Sequence, residues 1–139
     1  MKTLAVILSV FLSSIVLKAQ EAEGVTVKVT IENVLSDEGH ILASLHSSET
    51  FMKGPGLVSL KEKSKAGELS MTFENVKPGT YAIMVMQDAN DNQRMDFQDN
   101  GMPKESFGMS GNEMAMGPPN FESAKFEVNG EDLEFRIRF

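Results

Sequence analysis

The chain contains no cysteine and no tryptophan, and it has one tyrosine and two histidines. The missing thiols exclude disulfide staples, a cysteine nucleophile and an acylated N-terminal cysteine as a lipid anchor. Basic residues are also short: 13 Lys and Arg face 20 Asp and Glu, for a net charge of −7. Such a chain lacks the basic stripe that phosphate backbones require, so nucleic acid is not an expected partner. Long apolar runs are confined to Leu4–Leu17, itself broken by Ser9, Ser13 and Ser14. That run is too short to span a bilayer comfortably. With Lys2 before it and Ala19 after it, the layout is that of a secretory signal peptide over residues 1–19. Removal would make the chain more acidic, because the segment carries two lysines and no acid. The expected location is periplasmic or secreted.

Residues 20–139 then form one domain of about 120 residues, enough for a modest core. Hydrophobicity alternates with a period of two nearly throughout. Val25, Val27, Val29 and Ile31 share one face, opposite Thr26, Lys28, Thr30 and Glu32. Further strands are expected at 40–47, 57–63, 68–74, 80–87, 123–128 and 133–139, separated by turn signals such as Ser36-Asp37-Glu38-Gly39 and Asn129-Gly130. The segment TYAIMVMQ is apolar on both faces, as a central, covered strand must be. About seven short strands and no helical period predict an all-β fold, an antiparallel β-sandwich. A membrane barrel needs strands of roughly 9 to 11 residues and a continuous lipid-facing band, and the charged outer faces here do not supply one. One stretch, residues 89–120, has Gly and Pro but no strand period. Loops of that length in a compact domain are commonly functional.

The segments PGTYAIMVMQDANDN, Asp96, GMPKESFG and PPNFESAKFEV occur in that order. Together they resemble domain-of-unknown-function family 2141, a group of secreted bacterial proteins. The resemblance implies a transthyretin-like or carboxypeptidase-regulatory-like sandwich, with Asp88, Asn90, Asn92 and Asp96 as its oxygen-rich loop. Three positions depart from the pattern: Gln93 stands for a glycine, Met109 for an aromatic, and Lys77 for a proline. No activity follows from the resemblance.

Counted from Asp88 as position 1, Asn90 is 3, Asn92 is 5, Arg94 is 7, Asp96 is 9 and Asp99 is 12. Side-chain oxygens at 1, 3, 5, 9 and 12, with the Arg94 carbonyl at 7, follow the spacing of a calcium loop. Gln93 occupies the sharp-turn position, where a left-handed residue costs about 1–2 kcal/mol. Glu105 stands where it could fold back as a further ligand. The alternative is a turn whose Asp and Asn side chains bond their own backbone. Met102, Met109, Met114 and Met116 offer soft donors for Cu(I), or simply fill apolar gaps. His40 and His46 lie about 20 Å apart on one strand and cannot share an ion. Gly108-Met109-Ser110-Gly111-Asn112 breaks the nucleophile-elbow pattern at its last position. The expectation is a non-enzymatic binding module with a calcium-stabilised loop and a protein or glycan partner. The alternative is an extracytoplasmic enzyme using Asp88, Asp96 or Glu105.

Overall fold

The computed structural model describes residues 23–111 and 118–139. The expected signal peptide, Met114 and Met116 lie outside them. The strands are β1 (Val25–Val34), β2 (His40–His46), β3 (Val58–Lys63), β4 (Gly67–Val76), β5 (Gly79–Asp88), β6 (Phe107–Met109), β7 (Phe126–Val128) and β8 (Leu133–Arg138), with one helical turn, α1 (Phe121–Ala124). They form two sheets ordered β4-β1-β8 and β3-β2-β5-β6, with β7 paired to the opening residues of β5. The fold is the all-β sandwich that the alternation predicts.

Alternation decides which side chains meet between the sheets. Val27, Val29 and Ile31 of β1, Ile41 of β2, Phe73 of β4, Ile83 of β5 and Ile137 of β8 are closed to solvent in one cluster. Each such aliphatic side chain contributes roughly 1.5–3 kcal/mol on burial. At the end of β1, Asn33 adopts φ 64° and the register shifts between Glu32 and Val34, so Val34 turns back into the core. This bulge keeps the period where strict alternation would expose a valine. On the outer face of the same sheet, Arg136 bridges Glu32 and Glu68 across three strands. The Tyr81 hydroxyl donates to the Lys77 carbonyl at 2.9 Å and closes the β4–β5 corner.

Three details differ from the sequence expectation. β8 pairs with β1 in parallel, from Val27 opposite Leu133 to Glu32 opposite Arg138. The strand expected from residue 123 begins only at Phe126, because the Asn120 side chain accepts from Ser123 N at 2.9 Å and caps a turn of helix. The third is β6, three residues inside the stretch that showed no strand period; it pairs with β5 from Met84 opposite Met109 to Met86 opposite Phe107.

β5 is thus flanked on both edges, covered by the main core on one face and only partly covered on the other. Ile83 and Val85 point into the main core. Ala82 and Met84 point the other way, into a second cluster with Phe51, Ala124, Met109 and Phe121. This second face supports the candidate site.

Candidate functional site

Asp88 ends β5 opposite His40 and is fully buried, with 0 % exposure. Its carboxylate is held by backbone donors from the following turn. Asn92 N donates to Oδ1 at 3.1 Å and Gln93 N donates to Oδ2 at 2.8 Å. Asn90 Oδ1 also accepts from Asn92 N at 3.3 Å, and Asn92 Oδ1 accepts from Arg94 N at 3.1 Å. The two amide groups Nδ2 of Asn90 and Asn92 then donate to the same oxygen, Asp96 Oδ2, at 2.7 and 2.8 Å. Gln93 takes φ 62° at the sharp turn, and Asp91 takes φ 58°. Asx side chains bonding their neighbours' N–H groups wind this loop locally.

Glu105 returns to the loop. Its Oε1 accepts from Ala89 N and its Oε2 from Asp96 N, both at 3.2 Å. Asp99 does not join. The chain makes a small hairpin in which Phe97 bridges Pro103, Gln98 N bonds the Met102 carbonyl and Lys104 N bonds the Asp96 carbonyl. Asp99 sits exposed at the tip, beyond the Phe97–Pro103 rung. Asp88, Asn90, Asn92, Asp96 and Glu105 are therefore joined in one hydrogen-bond network, and Arg94 lies beside them with its side chain exposed.

Among the described residues, no three His, Cys, Asp or Glu side chains converge as metal ligands. An ion at the loop centre would need the asparagine carbonyls. The donor chemistry is compatible with calcium, which accepts Asp, Glu, Asn and backbone oxygens. It would require Asn90 and Asn92 to turn their amides so that Oδ1, not Nδ2, faces Asp96. Of the methionines considered for copper, Met102 is exposed beyond the hairpin rung and Met109 packs into the second apolar cluster.

Beside this network lies a feature the sequence did not announce. A cleft of about 560 Å³ opens over the outer face of β2 and β5. Its walls include Met84 and Met86 from β5, Met52 from the β2–β3 connection, and Met95, Phe97 and Phe107 from the long loop. Phe97 is 58 % exposed, as is Met52. Arg94 and the imidazole of His46 also line it. His46 bonds the Thr50 carbonyl through Nδ1 at 3.1 Å and meets Phe51 edge-on at 6.0 Å. Burial holds its pKa below the usual 6.5, so the ring is neutral at neutral pH. The available signal was TYAIMVMQ: an apolar second face on β5 asks what covers it.

The long loop is anchored again at Ser110. Ser110 Oγ accepts from Ile83 N at 2.9 Å and donates to the Ala124 carbonyl at 2.5 Å, closed to solvent. Among the described residues no helix is long and apolar enough to cross a membrane. No curated protein and no solved structure matches the chain. A family model described as an uncharacterised protein conserved in bacteria matches residues 29–136. That span runs from the middle of β1 into β8 and takes in the Asp88 loop and the whole cleft, so the chain belongs to domain-of-unknown-function family 2141.

Proposed function

We propose that this protein is a non-enzymatic extracytoplasmic binding module whose contact surface is the cleft between the long loop and the outer face of β2 and β5. One observation carries the reading. Residues 89–110 are tied down at one end by Asp88 and Glu105 and at the other by Ser110, while Phe97 and Phe107 over the sheet remain exposed. A segment so restrained cannot collapse to hide them. Concave, mostly apolar clefts of 300–1,000 Å³ with a few polar groups are the usual form of a small-molecule site. The apolar walls favour such a ligand over a glycan.

Calcium fits this reading as a reinforcement of the loop. Asp88, Asn90, Asn92, Asp96 and Glu105 would hold it, with the Arg94 carbonyl. Asp99 would take part only if the hairpin tip moved. The test is a thermal melt in calcium and then in chelator. At a hundredfold excess over the dissociation constant, binding to the folded state alone adds about 2.7 kcal/mol, a shift of several degrees. A melt unchanged by saturating calcium removes the ion from the proposal; Asp88→Asn lowers the melt in either case, and only a calcium-dependent shift that it abolishes supports the ion. The cleft is tested separately with Phe97→Ser and Phe107→Ser. Both should leave the melt nearly unchanged and reduce retention on a phenyl matrix; undiminished retention would sink the contact surface.

A further inference from the structure

We infer that the cleft takes an apolar molecule with a single anionic head, of the class of a medium-chain monocarboxylate, and that the Arg94 guanidinium receives the head. The inference rests on the reading of the cleft as the contact surface and adds the chemistry of the ligand.

The walls differ in charge from the rest of the molecule. Acids outnumber bases 20 to 13 in the chain, yet among the described residues no Asp or Glu lines the cleft. Among the described lining residues Arg94 alone carries a full charge at neutral pH, since burial keeps His46 neutral. The neighbouring acids are drawn elsewhere: Asp88, Asp96 and Glu105 into the loop network, Asp91 toward His40 and Lys61. Among the described residues no carboxylate pairs with the Arg94 guanidinium, although its backbone N is bonded to Asn92. An unpaired guanidinium at the edge of an apolar cleft suits a carboxylate, which it can meet through two parallel N–H donors. A cationic head would be repelled there, and a neutral one would leave the guanidinium to water.

The walls also suit a flexible chain. Met52, Met84, Met86 and Met95 surround the cleft, and thioether side chains repack around apolar bodies of varied shape. Because Arg94 follows Asn92 and Gln93 in the wound turn, the position of its side chain depends on the same loop network. The loop's order and the head's partner are thereby linked.

Three probes built on a ten-carbon chain separate the possibilities: decanoate, decanol and decyltrimethylammonium, the two ionic ones below their micelle concentrations and decanol below its solubility limit. The readout is the shift of 13C-labelled methionine methyl resonances in the folded protein. Decanoate should bind saturably and tighter than decanol by about three- to tenfold, the range expected for a partly desolvated guanidinium–carboxylate pair. The trimethylammonium probe should bind weakest. Arg94→Gln should bring decanoate to the level of decanol and leave decanol unchanged, while Phe97→Ser should weaken both. Decanol binding as tightly as decanoate overturns the anionic head and leaves the contact surface standing. Equal loss of both ligands in Arg94→Gln overturns the assignment of Arg94. Absence of saturable shifts with all three probes overturns the ligand class and the contact surface together.

Discussion

At the scale of single residues, Asp88 does the most structural work in the loop. Its two oxygens serve the N–H groups of Asn92 and Gln93 from a position closed to water. Asp88→Ala strands the Gln93 donor and leaves Asn92 N only its longer bond to Asn90 Oδ1, and an unsatisfied donor costs about 1–3 kcal/mol when fully buried. Because these bonds are part-buried, chemical denaturation should show a loss of about 1–2 kcal/mol, whether or not calcium is added. Gln93 offers the opposite outcome. It holds φ 62° with a side chain attached, at a cost of about 1–2 kcal/mol, against the 0.5–1 kcal/mol that a glycine loses in chain entropy. Gln93→Gly should therefore raise stability by about 0.5–1 kcal/mol, read as a higher denaturation midpoint. These residues were legible in the sequence because alternate oxygens on a tight loop must turn toward one another. The return of Glu105 was legible as an option. The departure of Asp99 was not, since it follows from the Phe97–Pro103 rung, a pairing that neither residue type advertises.

At the scale of elements, period-two alternation located most of the strands, because each buries one face and no helical period competes. It failed where the unit was too short to show a period. β6 is three residues between Gly- and Pro-rich flanks, yet it completes the edge of β5 and brings Phe107 to the cleft. Its middle residue explains why the strand runs where it does. A Cβ placed on Gly108 would lie 2.6 Å from Ile137 Cγ2 and 3.0 Å from the Arg138 carbonyl, so β6 passes hard against β8. Gly108→Ala should push the two strands apart at a cost of about 1–3 kcal/mol, measurable as a lowered melting temperature. The cleft itself was illegible for a different reason. Its walls come from β2, β5, the β2–β3 connection and the long loop, which only the folded register brings together.

For the whole molecule, the pH response follows from His46. The unfolded chain titrates near 6.5, while burial holds the folded ring lower. As pH falls below 6.5 the unfolded state binds the His46 proton first, so this residue's contribution to stability is level above that value and declines below it. His46→Gln should flatten this decline in melts taken from pH 8 to pH 5; an equal slope in both proteins would remove His46 as its source. Topology has a second effect at this scale. β1, nearest the start of the described chain, lies in the middle of its sheet, and its parallel neighbour is β8. The N–H of Phe139 bonds the Glu32 carbonyl, and the Asn33 amide bonds the carbonyl of Phe139. β1 thus waits for β8, the strand farthest from it in sequence, and sheets closed by such distant pairings fold slowly. A chain cut within β8 leaves one edge of β1 without its partner, so the two most distant strands of the described fold hold each other in place.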